Sequence, residues 1–470
     1  MNDTENSLAS MLGPEALVTD ASARERYVHD WTGKLSGDPV AIVRPSSTEE
    51  VARCVQWCAQ NNLAIVPQGG NTGLAGGATP AGARSQVILS LERMNRILHI
   101  DPVSNSITAQ AGVILHDLQA AATSINRFFP LSLGSEGSCQ VGGCIASNAG
   151  GTAVVRYGNM RELVLGLEVV LPDGRVWSRL RALRKDNAGF DLKHLFIGTE
   201  GTLGIVTAAT LRLFPQQRQS VVAMVGLADP AAVIDLFVLV RDEFDAGVTG
   251  FEFMTGAALR MACVHLDQAV PLAGEFQYAV LLELSTSRHD AAFADAVYEC
   301  LSGESEAGRI GDVSIASSEQ QARRLWTLRE SIPPAMLHAW PRVSVHDVAL
   351  PISKIPAFIA QVDAKVGAEW PQMQTVLFGH VGDGNLHLNF VAPGSMAPDD
   401  FAMAQAAATD FAYRLVVDHG GSISAEHGIG TQKLEPFVQL ESPAHLALMR
   451  TLKAALDGSN VLNPGKVIPD

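Results

Sequence analysis

The sequence has no CxxC pair. Its six cysteines (Cys54, Cys58, Cys139, Cys144, Cys263, Cys300) are scattered. Cys54 and Cys58 stand at helical i,i+4 spacing in "VARCVQWCAQ", which reads as buried thiols rather than a metal knuckle. The chain also has no basic block. Its net charge of −15 argues against a nucleic-acid partner but leaves room for a small anion held by a few local cations. No uncharged apolar run approaches the roughly 20 residues that span a bilayer. The start, "MNDTENSLASMLG", lacks the basic and apolar regions of a signal peptide, so a cytoplasmic, not membrane-spanning, protein is expected. No GxGxxG follows a strand and opens a helix with an acid further on, and no Walker GxxxxGK[ST] occurs, so neither common nucleotide fingerprint applies. With 470 residues, 47% hydrophobic and 18% charged, the chain is globular and too long for one core.

The elements that are there predict an α+β fold. Over residues 1–215, short strands ("AIV", "LAIVPQ", "QVILSL") alternate with helices and glycine-rich turns. The helix after "RPSS" has a Ser47/Thr48 cap and acids Glu49 and Glu50 in its first turn. "LVLGLEVVLPDGRVW" reads as a hairpin around Asp173-Gly174, and "LGIVTAATLRLFP" as a strand ending at Pro215. Residues 216–424 read as a second α+β domain with an antiparallel sheet, glycine-poorer, with helices such as "DPAAVIDLFVLVRDEF". Residues 425–470 form a C-terminal segment that returns to the first domain.

Three glycine clusters fall in the first domain: "PQGGNTGLAGG", "LGSEGSCQVGGCIASNAGG" and "GTEGTLGIVT". Glycine lets backbone N–H groups approach phosphate oxygens closely, and Thr72, Ser135 and Ser138 add hydroxyl donors. In the second domain, "GHVGDGNLHLNF" sets Asp383-Gly384 between two strand-like runs. As a two-residue type I′ loop, it pairs His380 with His387, the imidazoles about 4.5–5.5 Å apart at Cβ on one face with Asn389. That pair suits a metal, and equally two stacked surface histidines.

Together these stretches resemble a known family. "PQGGNTG", "GSCQVGGCIASNAGG", "YGNMRELVLGLEVVLPDG" and "GTEGTLGIVT" are similar to the vanillyl-alcohol oxidase-type FAD-binding domain. "GHVGDGNLHLN", "SAEHGIG" and "LNPGK" resemble the FAD-dependent D-2-hydroxyacid dehydrogenases, the D-2-hydroxyglutarate branch most and the D-lactate branch next. The resemblance implies FAD on the first loop (Pro67, Gln68, Gly69, Gly70, Asn71, Thr72, Gly73, Leu74). It implies the same for the second (Gly134, Ser135, Ser138, Cys139, Gly142, Gly143, Ser147, Asn148, Gly150, Gly151). Glu200, Gly201, Gly204, Ile205 and Val206 would lie near adenine and ribose, and Asn463 would contact the flavin. Some relatives attach FAD covalently through a histidine in the first loop. None stands there, so non-covalent FAD is expected.

In the resembling dehydrogenases, residues matching His380, His387 and Glu426 bind a divalent metal, usually zinc, and manganese suits the same donors. Such a metal would lower the pKa of a substrate hydroxyl. His427 is the candidate base, since imidazole titrates near working pH. Arg329 matches the family's substrate arginine, whose planar fork suits a carboxylate, and Asn389 is a second polar contact. Two positions depart from the D-2-hydroxyglutarate pattern. Pro333 stands where a threonine is expected, and Val345 where a lysine is expected. The expected substrate therefore has an uncharged side chain (D-lactate, a longer 2-hydroxyalkanoate or D-mandelate), with D-2-hydroxyglutarate or D-malate kept alive by His346. A flavin-free metallohydrolase is the other class of reading. It leaves the glycine clusters unexplained. The resemblance also implies a homodimer. The sequence leaves the electron acceptor open among an electron-transfer flavoprotein, a cytochrome and a quinone, the acidic surface suiting the first two more than an embedded quinone site.

Overall fold

The computed structural model describes residues 2–82 and 84–469, which divide into two compact units. The first comprises residues up to Gly150, Gly158–Gln216 and Glu426 onward. The second comprises Gln217–Ala425 and the short stretch Gly151–Tyr157.

The first unit contains a parallel three-stranded sheet, in the order Ala41–Val43, Gln86–Ser90, Ala64–Gln68. A five-stranded antiparallel sheet runs Ile97–Asp101, Ser106–Gln110, Ile205–Arg212, Val164–Val170, Val176–Arg179. The helix Thr48–Gln60 starts where its cap predicts, with the Ser47 hydroxyl accepting from the Glu50 N–H at 3.3 Å. Its inward stripe is Val51, Cys54, Val55 and Cys58, so both cysteines are buried free thiols serving as small apolar residues. The "LPDG" turn joins its two strands as expected, with Val170 facing Val176.

The second unit is built on a seven-stranded antiparallel sheet. Its order is Val313–Ile315, Gln219–Leu227, Tyr278–Thr286, Val248–Thr255, Gln374–Gly379, Asn385–Ala392, Arg342–Ala349. The strand Val248–Thr255 escapes the sequence reading. It is central and buried on both faces. The helices Gly256–His265, Glu319–Glu330 and Ile332–Ala339 cover one face through an apolar cluster of Met254, Phe378, Leu325, Leu328, Ile332 and Met336. No helix among the described residues is long and apolar enough to cross a membrane.

The histidine hairpin differs from the predicted register. Phe378, not His380, faces His387, and Val376 faces Asn389. Residues Val381–Asp383 form a 3₁₀ turn, and Gly384 closes it at φ +92°. The connection is therefore longer than a two-residue I′ loop. A cause is visible at the turn: the Asp383 carboxylate accepts from the Asn385 N–H at 3.1 Å, and Asn385 donates to the His380 carbonyl at 3.2 Å. Asp383 is thus a turn-former.

Candidate active site

Register builds the histidine-bearing face of the second unit row by row. Residues opposite each other in an antiparallel pair share a face. One row is Val345, Asn389 and Val376, and the next is Asp347, His387, Phe378 and Met254. Glu252, two residues before Met254, shares that face. His380 lies just past its strand, yet its ring comes within 5.4 Å of the His387 ring centroid, edge-on at 81°. The predicted meeting of the two imidazoles therefore holds by a different route.

Each imidazole is oriented by a buried carboxylate that sequence reasoning missed. His380 Nδ1 lies 2.6 Å from Glu252 Oε1. His387 Nδ1 lies 3.7 Å from Asp347 Oδ1. Both carboxylate side chains are fully buried. Asp347 also accepts from Asn385 Nδ2 at 2.7 Å and from the Ala425 N–H at 3.1 Å, so it ties down the backbone that enters Glu426. His380 and His387 stand together in the second unit, and Glu426 is the next residue of the chain after Ala425. The Glu252 carboxylate on His380 Nδ1 leaves Nε2 of that ring for ligation, the arrangement by which metal-binding histidines are held in one tautomer, and Asp347 stands at ion-pair distance from His387 Nδ1. Two imidazoles and a carboxylate fit zinc or manganese in donor type. His427 follows Glu426 directly and is half-buried.

Arg329 comes from the last turn of the helix Glu319–Glu330 and is 7% exposed. Its Nε and Nη2 lie 2.9 and 2.8 Å from Glu252 Oε2, and its guanidinium carbon stands 4.9 Å from the Phe378 ring centre. Burial pushes the Glu252 carboxyl up, but His380 and Arg329 outweigh it and hold the group below the usual carboxylate range. Removing one member alone would strand a buried charge, at a cost of about 3–5 kcal/mol. Asn389 is fully buried; its Nδ2 donates to the Val376 and His387 carbonyls, and its Oδ1 has no hydrogen-bond partner.

In the first unit, the glycine loops sort into two kinds. A Cβ on Gly70 would meet the Ser138 carbonyl oxygen at 2.1 Å, one on Gly142 would meet Ala111 Cβ at 2.7 Å, and one on Gly204 would meet Val169 at 2.5 Å. These glycines are needed for close packing of the chain on itself. A Cβ on Gly73, Gly134 or Gly143 would meet nothing within 4 Å. Protein packing does not demand glycine there, whereas a ligand lying on bare backbone would. Four predicted contacts that are not glycine also take left-handed backbone: Asn71 at φ 55°, Asn148 at 52°, Glu200 at 52° and Asn463 at 44°. Asn463 donates to the Gly77 and Glu200 carbonyls at 2.9 and 2.8 Å, and its Oδ1 is buried without a partner. Gln140, absent from the sequence prediction, has a buried Oε1 in the same condition. These orphaned acceptors and open glycines fit a bound dinucleotide.

Several predicted contacts instead turn toward the chain. The Gln68 carboxamide donates to the Tyr27 and Ala78 carbonyls at 2.9 Å. The Ser147 hydroxyl bonds back to the Gly143 carbonyl at 3.0 Å and that of Ser138 to the Ser135 carbonyl at 3.3 Å. The Glu200 carboxylate accepts from the Ile429 N–H at 2.7 Å and the Gly430 N–H at 3.0 Å. Ile205 and Val206 are strand residues facing Val170 and Val169. Gly151 belongs to the short stretch of the second unit. Lys466 is buried, donating to the Gly76 and Thr79 carbonyls, and burial pulls its ammonium down to about 8. It buttresses the first loop from behind.

Comparison with known proteins gives the family. The family described as "FAD binding domain" matches residues 39–178, and "FAD linked oxidases, C-terminal domain" matches residues 216–467. The chain is 39% identical over 453 residues to a D-2-hydroxyglutarate dehydrogenase of Xanthomonas citri pv. viticola, covering 96% of this chain and 94% of that one. It is 36% identical over 464 residues to that of Stutzerimonas stutzeri, covering 98% of each. The mitochondrial D-2-hydroxyglutarate dehydrogenase of Bos taurus is 37% identical over 472 residues, covering 99% of this chain and 84% of that one. Among solved structures, p-cresol methylhydroxylase shares the fold at a TM-score of 0.77 and 17% identity, covering 100% of this chain and 98% of that one. Alkyldihydroxyacetonephosphate synthase does so at 0.75 and 16%, covering 99% and 86%. These findings give no support to a flavin-free hydrolase.

The sorting of glycines predicts two different defects. Gly70→Ala should force the two loops apart, costing about 1–3 kcal/mol of stability and flavin together. Gly73→Ala should leave the melting temperature of the flavin-stripped protein unchanged and weaken flavin retention alone. Melting curves with and without FAD check both.

Proposed function

The chain belongs to the FAD linked oxidases, in the branch that holds the D-2-hydroxyglutarate dehydrogenases, and on that premise we propose that it oxidises a D-2-hydroxy acid to the 2-oxo acid with a divalent metal at His380, His387 and Glu426. It is an FAD-dependent oxidoreductase. The observation that supports the metal is the meeting of the His380 and His387 imidazoles, 5.4 Å between ring centroids, with the buried Glu252 carboxylate on Nδ1 of His380 and the buried Asp347 carboxylate near Nδ1 of His387.

FAD held on the glycine loops of the first unit would supply a hydride acceptor, and a divalent metal held by His380, His387 and Glu426 would supply Lewis acidity toward the substrate hydroxyl. The chain supplies the rest. His427 takes the hydroxyl proton on an imidazole nitrogen. Arg329 presents to the substrate carboxylate the guanidinium edge not engaged by Glu252. Asn389 offers its unpartnered Oδ1 as an acceptor.

The preferred substrate on this reading has an uncharged side chain, such as D-lactate, a longer D-2-hydroxyalkanoate or D-mandelate. Val345 stands directly across from Asn389 and is 52% exposed. Pro333 sits in the first turn of the helix Ile332–Ala339. Neither can pair with a second carboxylate, and a desolvated unpaired carboxylate is costly. His346, the remaining candidate, turns to the opposite face, where its ring nitrogens meet Ser344, Thr409 and Tyr413. D-2-hydroxyglutarate is the second reading, favoured by the names of the relatives. A dye-linked panel of D and L acids decides between them. D-lactate or D-mandelate should exceed D-2-hydroxyglutarate in kcat/KM, and a preference for the diacid would refute the uncharged pocket.

A further inference from the structure

We propose that Glu252 is a positioning residue shared by the metal ligand His380 and the substrate arginine Arg329, so that one carboxylate sets both the metal and the substrate carboxylate in place. The inference rests on the metal-dependent reading above. Glu252 lies in the central strand Val248–Thr255, fully buried. The antiparallel register that pairs Phe253 with Gly379 brings Glu252 beside His380.

The two oxygens of Glu252 are divided between two tasks. Oε1 takes His380 Nδ1 at 2.6 Å. Oε2 takes Arg329 Nε and Nη2 at 2.9 and 2.8 Å. Neither oxygen can move without moving its partner on the other side. Phe378 closes the circuit: Arg329 lies over its ring, and its ring contacts His387 at 5.0 Å between centroids. A carboxylate that only neutralised Arg329 would not need to hold an imidazole nitrogen. One that only oriented His380 would not need the arginine fork.

The consequence is a linked defect. Glu252→Gln keeps the shape but opposes an amide N–H₂ to one of two donors. In metal-stripped, FAD-loaded protein, zinc should bind about 10- to 100-fold more weakly by titration calorimetry, as when an outer carboxylate is lost from a metal-bound histidine. At saturating zinc, KM for the hydroxy acid should still rise roughly tenfold, because Arg329 has lost its anchor. Glu252→Asp, which keeps the charge but shortens the reach, should fall between. A purely structural role would lower the melting temperature and leave zinc affinity and KM of the folded protein unmoved, which overturns the proposal. If Glu252→Gln does not fold, Glu252→Gln with Arg329→Met removes the stranded charge. That pair must still show the weakened zinc site, and native zinc affinity there overturns the proposal as well. His380→Ala is the control: if it binds zinc like the native protein, the metal reading itself fails, whatever Glu252 does.

Discussion

Replacing His380 with alanine is expected to lower kcat by roughly 10³-fold, the equivalent of several kcal/mol of lost charge stabilisation. On the proposed metal-dependent reading the imidazole is one of three ligands, so its loss leaves His387 and Glu426 as an incomplete set. Chelation of the native protein should produce the same loss, with zinc or manganese restoring the native protein and not the variant. The alanine also leaves Glu252 Oε1 without its imidazole partner. Some destabilisation is therefore expected, and activity must be read on the folded fraction. Full activity in both the chelated protein and the variant would contradict a metal role.

His427→Gln should lower kcat by about 10²- to 10⁴-fold, the span of general acid–base catalysis. It should do so without the metal defect, because the ligand set does not include His427. Zinc affinity and flavin content should stay native, and the limb of the pH–rate profile that reports the base should disappear. A loss of less than tenfold, with the pH profile intact, would assign the proton to another group.

The parts of this site that sequence showed are those encoded locally. A glycine loop carries its own conformational demand, and so does a histidine beside an Asp-Gly turn. The motifs carry the proposed ligands His380, His387 and Glu426 and the glycine loops in short stretches of chain. What was hidden was long-range. Glu252 is 77 residues from Arg329 and 128 from His380 in sequence. Its strand is buried on both faces. "GFEF" reads locally as a glutamate facing water between two phenylalanines, and only the seven-stranded sheet puts it inside. Asp347 was equally silent in "VSVHDVALP". The hairpin register failed for a local reason that tertiary structure enforces: Asp383 caps the turn through the Asn385 N–H and lengthens it. Among the predicted flavin contacts, the glycine-rich backbone is what the sequence displays. Where side chains point was not, since Gln68 and Glu200 satisfy the chain's own carbonyls and N–H groups.

The central claim is that a D-2-hydroxy acid delivers its hydride to FAD in this protein. The most direct measurement is anaerobic mixing of the purified flavoprotein with D-lactate or D-mandelate, following the oxidised flavin absorbance through one turnover. The account predicts rapid bleaching by the D acid, none by its L enantiomer, and loss of bleaching after chelation. A flavin that stays oxidised with every D-2-hydroxy acid, in metal-replete protein, would contradict it.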